Sequence, residues 1–244
     1  MREGILYRTF DAEFDSGEAV RVSAERFLCL ERREIECIKY SIQLLEGHGS
    51  CEVEFYLDGG IQNQDSNYNE KFWEPVNSKT DQSFGLLTSR TKKTAFTIST
   101  AMMASVFLNG ELSDQTPIGK AGKDRAGLVY NLDLEENDKL TLYKYASVFT
   151  SRDHIEDLLE QHSEEGCREA KELGYESLKK EQISSWHKKW EESDIRITGD
   201  LSAQQGIRFS IFQLNQTYSG HDPRLNIGPK GFVSDGYHEW GGVP

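Results

Sequence analysis

Period-two alternation of apolar and polar residues runs through residues 1–150 and limits the chain to folds built from half-buried strands. Ile38, Tyr40, Ile42 and Leu44 alternate with Lys39, Ser41 and Gln43, and Val53, Phe55 and Leu57 alternate with Glu52, Glu54 and Tyr56. Val20, Val22 and Ala24 open another run, Phe84 to Thr88 a further one, and Thr94 to Leu108 a long one rich in Thr, Ile, Phe and Val. Leu128 to Leu134 and Leu140 to Phe149 complete the set. Turn residues punctuate them: Asp15-Ser16-Gly17, Gly47-His48-Gly49, Asp58-Gly59-Gly60, Asn109-Gly110 and Glu136-Asn137-Asp138. Short strands with no helices between them predict an antiparallel sandwich or barrel.

The composition changes at Ser151-Arg152-Asp153. Ser151 or Asp153 suits a helix N-cap, with Ile155, Leu158, Leu159 and His162 following at helical spacing and Gly174 breaking the run. The next helix starts at about Tyr175 and carries Tyr175, Leu178, Gln182, Trp186 and Trp190 on one stripe. Ile195 to Thr198 reads as a short extended piece. A third helix after Asp200 is expected to bury Ile207, Ile211, Leu214 and Tyr218. Beyond Gly220 the chain is rich in glycine.

Lys and Arg total 28 and Asp and Glu 41, so the net charge is 28 − 41 = −13. A phosphate backbone or an anionic membrane surface calls for the opposite sign, so neither nucleic acid nor membrane is expected as a partner. The short basic runs (Arg90 to Lys93, Lys179-Lys180 and Lys188-Lys189) read as solvated faces. No apolar run approaches the ~20 residues that span a bilayer. Cys29, Cys37, Cys51 and Cys167 share no metal-ligand spacing; the three in strand-like runs read as small hydrophobes, a disulfide framework is not expected, and the cytoplasm is the expected location.

Single motifs carry little chemistry. The six histidines form no metal-binding pair. His162 reads as structural, and His154 beside Asp153 as part of a helix start rather than an acid/base pair. Asp58, Asp65, Glu70 and Glu74 could supply paired carboxylates, but a solvated loop is the preferred reading. Tyr68, Phe72 and Trp73 in the same stretch could stack on a sugar ring or pin the loop to its own domain. Gly228-Pro229-Lys230-Gly231 lacks the spacing of a phosphate-binding loop. Ile5, Tyr7 and Thr9 already read as a strand with an uncovered edge, and the last residues are glycines and aromatics ending at Pro244. Both features lead us to expect a piece of a longer chain with an incomplete active site.

Several unbroken stretches carry a family resemblance. They are Tyr56-Leu57-Asp58-Gly59-Gly60 with Asn67 to Trp73, Ala203 to Gln216, Leu225 to Phe232, Leu6 to Phe10, and Ala24 to Leu28. Together they resemble glycoside hydrolase family 65, most closely its maltose phosphorylase branch, from about Glu3 to Tyr237. The resemblance implies a β-super-sandwich, here lacking its early strands, over residues 1–150. It implies a helical linker over 151–200 and the start of an (α/α)6 catalytic barrel over 201–244. The implied chemistry is inverting phosphorolysis of an α-linked disaccharide such as maltose, with inorganic phosphate as co-substrate and no cofactor or metal. The implied general acid and phosphate site lie outside this sequence, so no catalytic residue is assigned and the chain alone is expected to be inactive. Lys230, Gly231, Phe232, Gly236 and Tyr237 match the family's approach to the sugar, whereas His238-Glu239-Trp240 departs from its sugar-gripping pair. The alternative is a non-catalytic module, either binding carbohydrate or forming a homodimer through the sandwich.

Overall fold

Alternation in the sequence becomes antiparallel pairing in the structure. A computed structural model describes residues 1–61, 71–217, 222 and 224. The chain divides into two units, one of Ile5–Ile61 and Lys71–Gln182, the other of Met1–Gly4 and the described residues from Ile183 onward. The first unit holds the strands β1 (Leu6–Glu13), β2 (Ala19–Leu28), β3 (Ile35–Glu46), β4 (Gly49–Asp58), β5 (Trp73–Thr80) and β6 (Phe84–Thr91). It continues with β7 (Thr97–Leu108), β8 (Glu111–Leu112), β9 (Ile118–Ala121), β10 (Arg125–Leu134) and β11 (Lys139–Thr150). Three helices follow among the described residues: α1 (Leu159–Leu173), α2 (Tyr175–Ser193), which begins in the first unit, and α3 (Leu201–Thr217) in the second.

The large sheet runs β1-β2-β3-β11-β7-β6-β5, with β8 on β7, and the small sheet runs β4-β10-β9. Pairing of Leu142 with Val106 and of Ala146 with Met102 sets the even-numbered residues of β7 and β11 on one face. There they meet Phe55, Leu57, Leu128, Tyr130 and Leu132 of the small sheet in a single core. Complete burial of each large apolar side chain contributes roughly 1.5–3 kcal/mol. Phe55 and Tyr130 add an edge-on ring pair at 5.8 Å. Asn109 and Gly110 both have positive φ, 53° and 88°, the pair that a two-residue hairpin between β7 and β8 requires.

The opposite face of β7 and β11 is covered by α1. Small residues on the sheet let the helix approach, and their polar atoms form a seam with it. Ser147 Oγ donates to the Ser163 carbonyl (2.6 Å), Ser163 Oγ to the Ser99 carbonyl (2.9 Å) and Cys167 Sγ to the Tyr145 carbonyl (3.2 Å). Leu159, Ser163, Cys167 and Ala170 form the buried stripe of α1. Gly174 ends that helix at φ 79°, as its position in the sequence predicts.

The architecture is therefore mainly β and antiparallel, with helices after the strands. Local departures have physical causes. Ser151 and Asp153 do not cap α1: Ser151 Oγ accepts from the Thr97 amide and Asp153 from the Thr150 hydroxyl. A 3-10 turn at Glu156–Leu158 leads into the helix instead, and Ile155 is exposed rather than on the buried stripe. The long run expected from Thr94 starts pairing at Thr97, after a turn that holds Ala95 at φ 56°. Strand β5 lies in a stretch read as loop. It pairs with β6 alone and carries Pro75 beside a register shift, and an edge position tolerates proline because no ladder donor is lost there. Ile195 to Thr198 lies outside any helix or strand, and Gln204 bonds both its Ile195 carbonyl and its Ile197 amide. Asp200 caps α3 through the Ala203 amide at 2.9 Å, and Ile211 is buried, but Leu214 is exposed; Tyr218 lies outside the described residues.

Candidate functional site

Charged side chains collect at three places, and their partners decide what each can do. The first is where α2 meets the large sheet. Glu25 on β2 accepts from Lys179 Nζ (2.6 Å) and from the Tyr175 hydroxyl (3.0 Å). Lys179, read from the sequence as solvated, is therefore turned inward. Tyr175 also packs against Phe27 and Tyr143, and its amide donates to the Tyr145 hydroxyl at 3.1 Å. Burial pushes the Tyr145 phenol up to about 12, and burial together with the Glu25 charge raises that of Tyr175. Both remain neutral hydrogen-bonding groups, so this network docks a helix rather than transferring protons.

The second is Glu160 on α1, which accepts from Asn77 (2.8 Å), Thr88 (2.9 Å) and Lys79 (3.2 Å). Burial raises its pKa, but these bonds more than offset the effect and hold the carboxyl below its usual range. Such a group stays ionised, whereas a general acid must keep its proton near neutral pH. The same holds more widely: among the described residues, every carboxyl with a displaced pKa, including Glu25, Asp81, Asp138 and Asp194, is displaced downward.

The third is an open cleft of about 520 Å³ in the second unit. Arg2, Trp190, Asp194, Arg196 and Arg208 line it, with His187 and Glu191 at its wall. Arg208 grips Asp194 through two bonds, Nε to Oδ1 at 2.8 Å and Nη2 to Oδ2 at 2.6 Å. That bond, with the charges of Arg208, Arg196 and Arg2, holds the Asp194 carboxyl low. Behind the wall Trp186 packs between Trp190 (6.5 Å) and Phe212 (5.0 Å). The cleft offers donors and an indole but no activated nucleophile. Nothing in the sequence marks it, because Asp194 and Arg208 stand in different elements and become neighbours only when α3 folds back over the segment before it.

The residues singled out from sequence fare unevenly. Lys230, Gly231, Phe232, Gly236 and Tyr237 lie outside the described residues, as do Tyr68, Asp65 and Glu70. Phe72 is part-exposed beneath the Lys93 ammonium (5.8 Å), while Trp73 is half-buried at the start of β5. His154 stacks on Phe149 at 4.8 Å and lies 3.6 Å from Glu34, and His162 packs beside both rings. Among the described residues no group of three or more His, Cys, Asp or Glu could hold a metal ion. No described helix is long and apolar enough to cross a membrane.

Comparison with known proteins adds what the geometry alone does not. Residues 1–189 match the family model described as glycosyl hydrolase family 65, N-terminal domain. The chain is 36% identical over 237 residues to maltose phosphorylase of Bacillus subtilis (strain 168), covering 97% of this chain and 31% of that protein. It is 26% identical over 245 residues to the alpha,alpha-trehalose phosphorylase of Thermoanaerobacter brockii, again covering 97% of this chain and 31% of the relative. Among solved structures, a protein assigned as a kojibiose phosphorylase from the human microbiome superposes with a TM-score of 0.84 at 25% identity, over 97% of this chain and 30% of that one. The chain thus spans about a third of the length of the relatives it matches.

Proposed function

The chain belongs to glycosyl hydrolase family 65, through that family's N-terminal domain, and from this premise we propose that it is part of a disaccharide phosphorylase of the maltose phosphorylase type. Its substrates would be an α-linked disaccharide such as maltose and inorganic phosphate, and its products β-glucose 1-phosphate and glucose, in the cytoplasm. In inverting phosphorolysis a carboxylic acid protonates the glycosidic oxygen while phosphate attacks the anomeric carbon from the opposite face. Phosphate takes the place of the activated water of an inverting hydrolase, so no second carboxylate base is required.

The observation that carries this reading is the coverage of the maltose phosphorylase match: 97% of this chain but 31% of the relative. It supports a division in which residues 1–150 are sandwich, 151–200 linker and 201–244 the start of a helical barrel. Lys230, Gly231, Phe232, Gly236 and Tyr237 would then lie on the approach to the sugar. It also supports an inert isolated chain, because about two thirds of the relative lies outside the match.

Two measurements test the proposal. Purified chain with maltose and phosphate should yield no glucose 1-phosphate above a blank, and turnover would refute its inactivity. A chimera in which this chain replaces the matching 237 residues of the Bacillus subtilis maltose phosphorylase should recover phosphorolysis of maltose. A folded but inactive chimera would count against the maltose-type assignment. A second reading, the sandwich as a homodimer interface, is favoured by Leu6, Tyr7 and Phe10 standing exposed on the edge strand β1. Light scattering should then report a dimer, and a monomer independent of concentration would argue against it.

A further inference from the structure

The cleft of the second unit holds more guanidinium than its own carboxylates can satisfy. Arg208 is taken up by Asp194 through two bonds. Arg2 and Arg196 lie close enough for their charges to act on the same carboxylate, yet neither makes an ion pair or hydrogen bond among the described residues. With Glu191 included, three guanidiniums face two carboxylates, a local excess of positive charge on a chain of net −13. The indole N–H of Trp190, on the same wall, is buried and has no acceptor among the described residues. Orphaned donors of this kind are uncommon and call for an explanation.

We propose that this cleft is an oxyanion site that takes a phosphate group, free or as a monoester, between Arg2 and Arg196. The guanidinium plane offers paired donors that match the oxygens of a phosphate, and such charge-assisted bonds are about twice as strong as neutral ones. A neutral sugar fits less well. It needs acceptors as well as donors, and Asp194 is already committed to Arg208, leaving Glu191 as the one spare carboxylate among these lining residues. A monoester would set its organic body against the Trp190 indole. The volume, about 520 Å³, falls within the ~300–1,000 Å³ of small-molecule sites.

Calorimetry on the intact chain tests the site without reading any turnover, so its outcome is separate from that of the proposed phosphorolysis. Inorganic phosphate, glucose 1-phosphate and maltose are titrated at low ionic strength in a phosphate-free buffer. The two anions should bind saturably and maltose should give no heat assignable to the cleft. Arg2→Gln with Arg196→Gln should weaken the anions roughly tenfold or more, as expected for loss of hydrogen bonds to a charged group. The charge-matched pair Lys92→Gln and Lys123→Gln, on the other unit, should leave binding unchanged. Tighter binding of glucose 1-phosphate than of phosphate assigns the ester as ligand; equal or weaker binding assigns the free anion. Flat isotherms for both anions overturn the proposal, as does equal weakening by the control pair. Both substitutions sit on exposed side chains, and matching thermal melts would verify that the variants fold.

Discussion

Gly4 and Glu25 show how much a single position can carry. Gly4 has a φ of 63°, and a Cβ placed there would lie 1.8 Å from the Trp186 Nε1. Neither the backbone nor the buried indole leaves room, so Gly4→Ala should cost roughly 1–3 kcal/mol, the range for forcing extra atoms into packed surroundings. Urea unfolding followed by tryptophan emission would read it, and an unmoved midpoint would contradict the contact. Glu25 makes a pH-dependent contribution. Burial raises its pKa, but the bonds from Lys179 and Tyr175 prevail and leave it lowered in the fold. A carboxyl lowered on folding contributes stability above its unfolded pKa, about 4.3, and loses it as pH falls through the folded value. Melting temperature should therefore fall below about pH 4.5. Glu25→Gln should flatten that limb and, near neutral pH, cost roughly 1.5–3 kcal/mol by leaving Lys179 without its counter-charge. If the variant's melting curve runs parallel to the parent's from neutral to acid pH, the assignment fails.

At the scale of elements, the helices differ in how they are held. Helix α1 is fastened by apolar burial and a polar seam together, with Leu159 at 1% exposure. Leu159→Ala should cost about 2–5 kcal/mol through the cavity it leaves, and Ser163→Ala about 0.5–1.5 kcal/mol through loss of one bond to the Ser99 carbonyl, which keeps its place in the β7–β11 ladder. Chemical denaturation of the two variants should preserve that order. Helix α3 buries Ile211 but leaves Leu201, Phe209 and Leu214 exposed, so its amides at 203–217 should exchange faster than those of β7 and β11. Equal protection would show α3 to be as firmly held as the strands. Strands β2, β3, β4, β10 and β11 were legible in the sequence because apolar residues recur along each between turn residues, as alternation in β2, β3 and β4 and as longer apolar runs in β10 and β11, which bury residues on both faces. Strand β5 was not, since an edge position with Pro75 needs no such pattern. The start of α1 was misread because Ser151 and Asp153 spend their hydrogen bonds on the preceding turn and strand. The cleft was illegible for a different reason: Asp194, Arg196 and Arg208 look like ordinary surface charges until α3 brings them together.

For the molecule as a whole, net charge competes with exposed apolar surface. Leu6 and Leu28 stand 53% and 69% exposed on the large sheet, and Leu201 and Leu214 stand 85% and 64% exposed on α3. Groups like these favour association when nothing opposes it. At neutral pH the charge of −13 opposes it by repulsion between copies, a force that acts over about 10 Å at 0.1 M salt. Two ways of weakening that repulsion should therefore have the same effect. Lowering the pH toward the isoelectric point near 5.0 removes the charge, and raising the salt at neutral pH screens it. Static light scattering should show association rising toward pH 5 and rising also with salt at pH 7.5. Leu6→Ser with Leu28→Ser should reduce both responses, because the pair lowers the apolar attraction without altering the charge. Scattering that rises toward pH 5 but stays flat with salt would show that protonation changes the fold rather than merely discharging its surface. Scattering that is unchanged in the double variant would place the adhesive surface elsewhere, with α3 the next segment to test.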